Sequence, residues 1–279
     1  MKFIHLTDPH LVDPARLLYG VDPTARLNAA IAEINADHGD AAFLLVTGDL
    51  THWGEAVGYE ALVTALSRLC IPHHLALGNH DDRGRFLEAV PDSPRDADGF
   101  VQYAFPSAVG TFVILDTLEA GTSKGAFCEA RAAWLRDTLA TTAGPVFIAM
   151  HHPPFDTGIP AMDRIGLRDR AAFIETIEPH LHRVRHLFFG HLHRPMGGSW
   201  RGVPFSTVRS TCHQVALELS GVGGLMGNLE SPQFAVVLAD DAQIVVHLHD
   251  YAADAPAYRF ADLAFRDRTD SVDPFLERE

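Results

Sequence analysis

The chain has 279 residues, 47% of them apolar and 21% charged, a balance that supports one large folded α/β domain, alone or with a small cap. Its formal charge of −14 disfavours broad adhesion to nucleic-acid backbone or anionic membrane. No apolar run approaches the ~20 residues of a membrane span, and the opening MKFIHLTDPH lacks the apolar stretch of a secretory leader, so the cytoplasm is the expected location.

KFIHLT reads as a first strand. DPTARLNAAIAEINADHG reads as a helix, with Asp22 as N-cap, Pro23 in the first turn and Gly39 closing it. AFLLVT is a continuous apolar strand, EAVGYEALVTALSRLC a helix, and HHLAL a strand running into Gly78. FVQYAF and TFVILD read as neighbours joined by a turn over 107–110. A helix over EARAAWLRDTLA, strand PVFIAM, a helix over RDRAAFIETIEPH and strand HLFF follow. In the last third, VPFSTV, QFAVVLA and QIVVHLHD are strands with no helix between them. Strands alternating with helices, then a run of strands, predict an α/β fold with a mixed sheet or two packed sheets.

The expected catalytic domain is 1–250, with 194–232 a candidate cap or loop insertion. Inside that insertion, ELSGVGGLMGNLESP carries four glycines and reads as a mobile loop near a site or a plain surface loop. Residues 251–279 are proline-spotted and charged. They read as a tail that wraps the domain or joins a partner subunit, which makes a homo-oligomer a candidate assembly. Cys70, Cys128 and Cys212 match neither a disulfide framework nor paired zinc spacing, and read as ordinary thiols.

Chemistry-bearing residues gather at the strand ends. The first strand ends in DPH (Asp8, His10), the second in GDL (Asp49) and the third in GNHDD (Asn79, His80, Asp81). Later strands end in MHHPP (His151, His152) and GHLH (His191, His193). Each thus delivers oxygen or nitrogen donors just past an apolar run, at the carboxyl edge where open α/β sheets bind ligands. Asp8 and His10, two apart in an extended chain, are expected to point to one face. Any one motif is ordinary, because a histidine after a strand is more often hydrogen-bonded packing than a ligand, and GDL is a common turn. Their joint appearance, always at strand ends, argues for a site. A mixed nitrogen and oxygen donor set without cysteine suits Mn, Fe, Co or Zn better than Ca.

The ordered set D-x-H, G-D, G-N-H-D, H-H and G-H-x-H over residues 8–193 resembles the calcineurin-like metallophosphoesterase family. LLYG (17–20), AGTSKG (120–125) and HQV (213–215) are similar to its branch of glycerophosphodiesterases and class III cyclic-nucleotide phosphodiesterases. The resemblance implies a four-layer α/β/β/α sandwich of two mixed sheets flanked by helices. It implies two divalent or mixed-valence transition metal ions, one held by Asp8, His10, Asp49 and His193, the other by Asp49, Asn79, His151 and His191. It also implies that His80 contacts the phosphate and helps protonate the departing alkoxide, and that His213 is a second substrate-facing histidine. Tyr19 and Ser123 are candidate pocket residues, with Ser123 steadying Asn79; the alternative for each is packing or turn chemistry. His152 is expected behind the ligand His151, and His5, His73 and His74 as structural histidines. The remaining seven, His38, His52, His180, His182, His186, His247 and His249, carry no motif and read as solvated or capping.

The implied function is a dinuclear metal-dependent phosphodiesterase acting on small phosphodiesters, 3′,5′-cyclic nucleotides or glycerophosphodiesters. Two ions roughly 3.5–4 Å apart clamp the attacking and leaving oxygens, and a water between them loses its proton near neutral pH. Two divalent ions, two carboxylates and a hydroxide leave the site singly positive, which suits a diester monoanion. The alternatives are a nuclease or phosphomonoesterase of the same family, or a non-catalytic metal-binding scaffold. Acidity and the lack of a basic, aromatic-rich groove weigh against polymeric nucleic acid.

Overall fold

Parallel strands covered on both faces must be apolar at nearly every position, and LLVT, GTFVIL, VFIAM and VRHLFF meet that demand. In the computed structural model, which describes residues 1–252, they are inner strands of two sheets. The first sheet uses β1 (Lys2–Leu6), β2 (Leu44–Thr47) and β3 (His73–Ala76), all parallel. Two helices connect them, α1 (Pro23–Asp37) and α2 (Ala56–Leu66). After α3 (Arg83–Ala89) the chain enters the second sheet through β4 (Tyr103–Ser107) and β5 (Gly110–Leu115), an antiparallel pair. Next come α4 (Glu129–Thr141), β6 (Val146–Met150), the single turn α5 (Pro160–Asp163), α6 (Arg170–Ile177) and β7 (Val184–Phe189). The hairpin of β8 (Met196–Trp200) and β9 (Val203–Thr207) completes that sheet, and the short strands β10 (Gln214–Val215) and β11 (Gly227–Asn228) pair by themselves. Finally β12 (Gln233–Ala239) and β13 (Ile244–Asp250) return to the first sheet, antiparallel to β1 and to each other. The spatial orders are β13-β12-β1-β2-β3 and β4-β5-β6-β7-β9-β8.

Alternation along β5 shows how the layers stack. Phe112 and Ile114 join the core between the sheets, where Phe112 packs 5.2 Å from Phe3 and 5.0 Å from Phe43. Val113 and Leu115 join a second core under α4 and α6, with Leu135, Leu139, Phe173 and Ile177. On the far side of the first sheet, Leu27, Ile31 and Ile34 of α1 and Leu62 of α2 close the outer layer. The two mixed sheets flanked by helices are those implied by the motif resemblance.

Local signals act as read in α1, where the Asp22 carboxylate accepts from Ala25 N at 2.9 Å and Pro23 opens the helix. The helix read through RDRAAFIETIEPH is shorter: α6 stops at Ile177, and Pro179 sits at the start of a 3-10 turn over Glu178–Arg183, where its missing N–H costs nothing. Five elements had no clear sequence signal: α3, α5, β8, β10 and β11. α3 spans seven residues and buries only Phe86, too little for a helical period to emerge. β8 reads MGGSW and lies at a sheet edge, half-exposed. The segment 194–232 is therefore partly sheet: β8 and β9 belong to the sandwich, and 208–232 lies outside both sheets. The 251–279 tail lies almost wholly outside the described residues. No helix among the described residues is long and apolar enough to cross a membrane.

Candidate metal centre

The parallel strands β1, β2 and β3 of one sheet and β6 and β7 of the other end at the loops that carry the strand-end motifs. The expectation that Asp8 and His10 share a face of extended chain needs correction. β1 stops at Leu6, and Asp8 and His10 both turn into the left-handed region, with φ of 52° and 47°. Asp49, His191 and His193 do the same, at 48°, 68° and 48°. Such backbone costs of order 1–3 kcal/mol per residue and survives only where its surroundings hold it. Asp8 N bonds Gly48 O at 3.1 Å and His10 N bonds Asp49 O at 2.9 Å. The buried Asp81 carboxylate ties two loops together by accepting from Leu50 N, Thr51 N and Gly78 N at 2.9–3.1 Å. Burial and the nearby Asp49 charge push its carboxyl up to about 7. Two glycines permit the close approach: a Cβ on Gly48 would stand 2.5 Å from His151 Nδ1, and one on Gly78 would collide with the Asp49 carboxylate.

All seven residues expected as ligands converge. His193 Nε2 lies 3.2 Å from Asp8 Oδ1 and 3.1 Å from His10 Nε2, and His10 Nε2 lies 3.6 Å from Asp49 Oδ2. The same Asp49 oxygen is 3.3 Å from His151 Nε2, which is 3.2 Å from Asn79 Oδ1. Asp49 thus stands between two donor groups. The His191 ring centroid is 5.1 Å from that of His151, and its buried Nε2 has no hydrogen-bond partner. From behind, His151 Nδ1–H donates to Thr47 O at 2.8 Å and His193 Nδ1–H to His213 O at 2.7 Å, which aims both Nε2 atoms inward.

Electrostatics within the cluster are dominated by burial and mutual contact. Burial and the neighbouring His151 hold His191 down at about 3, and burial holds His10 well below its usual range. For His151, burial acts downward but is outweighed by Asp49, Asp8 and the Thr47 carbonyl, which raise it to about 9. His193 is also raised, with Asp8 overcoming burial. Asp49 is held well below the carboxylate range, since surrounding imidazoles overcome the opposing effect of burial. Converging lone pairs, a buried nitrogen without a partner and protons retained between carboxylates are what a cation would relieve. The residues fit divalent metal.

Around this cluster, His80 donates its backbone N–H to Asp49 Oδ1 at 2.8 Å, and its Nδ1 bonds His52 O at 2.7 Å. His52 corrects the reading of a solvated or capping residue. It is buried, stacks on His80 at 4.7 Å and sets Nδ1 3.1 Å from His10 Nδ1. Its only sequence signal was its place three residues after Asp49. His186 is likewise buried, bonded to Ser206 Oγ at 2.8 Å. His152 lies behind His151 with Nδ1 2.8 Å from Thr117 Oγ1, yet its Nε2 is unpartnered and its ring is 4.6 Å from His191. His213 lies 4.6 Å from His193 and 4.7 Å from Tyr19, ring to ring. Burial, then His193 and His52, hold it down at about 3. Ser123 is exposed and makes no hydrogen bond to Asn79 among the described residues. A cavity of about 380 Å³ opens beside His213, lined by Tyr19, Val215, Leu225, Met226, Asn228 and Leu229 among others.

A two-sheet α/β sandwich that gathers carboxylates and imidazoles over the ends of its parallel strands defines a metal-site protein. The family model of calcineurin-like phosphoesterases matches residues 1–195, and the chain belongs to that family. Membership implies divalent metal ions. A probable cyclic nucleotide phosphodiesterase of Rhodopseudomonas palustris is 44% identical over 266 residues, 94% of this chain and 97% of its own length. A glycerophosphodiester phosphodiesterase of Enterobacter lignolyticus is 28% identical, over 77% of this chain and 79% of its own. A solved dimetal phosphatase from Danio rerio superposes with a TM-score of 0.67 at 17% identity, covering 90% of this chain and 96% of that one; that likeness concerns the fold.

Proposed function

We propose that this chain is a dinuclear metal-dependent hydrolase of small phosphodiesters. The carrying observation is the position of Asp49, whose Oδ2 lies within 3.6 Å of both His10 and His151, so that one carboxylate serves both halves of a donor cluster. Asp8, His10, Asp49 and His193 hold one ion; Asp49, Asn79, His151 and His191 hold the other. The ions are Mn, Fe, Co or Zn, and when bound they supply Lewis acidity and acidify water toward neutral pH.

His80 contacts the phosphate and carries a proton to the leaving oxygen. With Nδ1–H engaged by the His52 carbonyl, Nε2 is the nitrogen left to face substrate. His213, held neutral by burial and by its imidazole neighbours, positions substrate by hydrogen bonding and is a poor proton donor. The relatives' names point to cyclic nucleotides and glycerophosphodiesters. The cavity supports small diesters, because Tyr19, Leu225, Met226 and Leu229 offer apolar area to an organic substituent and little charge to a polymer backbone. A cytoplasmic location and assembly through the tail belong to the same proposal.

The test is a substrate panel on one metal-loaded sample, with bound metal measured in parallel. cAMP, cGMP, 2′,3′-cyclic nucleotides and glycerophosphoethanolamine are compared with matched monoesters. Diesters are expected to exceed monoesters in kcat/KM, with little hydrolysis of duplex DNA. A tenfold preference for monoesters, about 1.4 kcal/mol in transition-state binding, overturns the substrate class. Metal bound without any hydrolysis would establish the scaffold alternative.

A further inference from the structure

His5 occupies a place in β1 where an apolar side chain is the cheaper choice. It is fully buried, its ring 5.3 Å from Phe188 in an edge-on contact, and its Nδ1 has no partner. A buried imidazole with one nitrogen unpaired costs stability that phenylalanine or leucine would not. Its other nitrogen starts a chain of hydrogen bonds. His5 Nε2 is 2.9 Å from Thr47 Oγ1, Thr47 Oγ1 is 2.8 Å from Thr7 Oγ1, and Thr7 Oγ1 is 2.7 Å from Asp8 Oδ2. All four residues are buried.

The direction of that chain follows from the ring. Burial, with His186 nearby, holds His5 down at about 3, so the imidazole is neutral and carries one proton. Nδ1 faces no acceptor, and a buried N–H without a partner is the costlier of the two vacancies, so the proton sits on Nε2. His5 Nε2–H then donates to Thr47, the Thr47 hydroxyl donates to Thr7, and the Thr7 hydroxyl donates to Asp8 Oδ2. With the other tautomer, Thr47 would donate to His5 and Thr7 would turn to Thr47, stripping that hydrogen from the carboxylate. The opposite oxygen, Asp8 Oδ1, is the one facing His193 at 3.2 Å, His10 at 3.9 Å and His151 at 4.0 Å.

We propose that His5 is a positioning residue of the metal centre: through Thr47 and Thr7 it pins Asp8 Oδ2 and so presents Oδ1 to the cation. The proposal rests on Asp8 being a ligand. It gives a role to a histidine and two threonines that stand outside the strand-end motifs.

The test measures Mn(II) affinity by chelator competition on metal-free protein whose folding is checked by circular dichroism. His5→Phe and Thr47→Val are expected to weaken binding by roughly 10–100-fold, as loss of a ligand's supporting partner does. His5→Gln and Thr47→Ser, which keep a donor, should recover affinity to within about threefold of wild type. Because the groups act in series, the His5→Phe/Thr47→Val double variant should bind no worse than Thr47→Val alone. Wild-type affinity in Thr47→Val, or fully additive losses in the double variant, overturns the relay. If His5→Phe does not fold, the contrast between Thr47→Val and Thr47→Ser decides. Asp8→Asn separates the two readings: if it binds Mn(II) normally, the ligand assignment fails, whereas loss there with no loss in Thr47→Val refutes the relay alone.

Discussion

His80 illustrates how a residue beside a ligand differs from one. Its backbone N–H holds Asp49 Oδ1 and its Nδ1 is committed to His52 O, which leaves only Nε2, the nitrogen assigned to the substrate in the proposed function. His80→Ala should therefore keep full metal content while turnover falls by roughly 10²–10⁴, the usual worth of a positioned acid. The loss should shrink for p-nitrophenyl diesters, whose leaving group scarcely needs a proton. Equal losses for good and poor leaving groups would remove His80 from the acid role, and loss of metal would make it a ligand. At this scale the strand-end motifs were legible because each pairs a donor with an apolar run. His52 was not, because its burial comes from stacking on His80 and contact with His10, residues far away in the chain.

Among the elements, β5 couples the two halves of the centre. The donors Asp8, His10, Asp49 and Asn79 follow strands of the first sheet, and His151, His191 and His193 follow strands of the second. Their mutual distances depend on how the sheets face each other, and Phe112 is fully buried in that interface against Phe3, Phe43 and Phe147. Phe112→Ala should destabilise the fold by about 3–5 kcal/mol, read as a lower urea midpoint, and should weaken metal binding as well. A change below about 1 kcal/mol would mean that the sheets close over the gap without cost. Continuous apolar runs announced the inner strands, but not which face of each strand meets the other sheet. α3 and β8 escaped because seven residues with one buried side chain, and an edge strand carrying two glycines, leave no period to read.

For the whole molecule, the proposed ligand set makes pH and metal act through the same nitrogens. His151 is raised from 6.5 to about 9 in the metal-free protein. Its proton therefore stabilises the fold fully below about 6.5, and that contribution is lost as pH rises through 9. On the proposed ligand assignment a cation takes the same lone pair, so binding must expel the proton. Nitrogen-detected NMR of metal-free protein should find His151 doubly protonated at about pH 7.5, with one ring proton lost on adding Mn-free diamagnetic Zn(II) at that pH. A His151 already neutral there before metal is added would sink this account.

The chain alone determined the α/β class, the order of most strands and helices, and which oxygen- and nitrogen-bearing side chains gather at the strand ends, since each follows from local period and from motifs a few residues long. Tertiary structure decided that Asp49 stands between the two donor groups, that His52 packs against His80 and His10, that His5 joins the Thr47–Thr7–Asp8 hydrogen-bond chain, and that Asp8 and His10 converge through left-handed backbone. Those outcomes depend on burial and on distances between residues far apart in the chain, on neighbouring strands of one sheet or, for Asp49 and His151, on strands of different sheets, and these arise only when the strands pack.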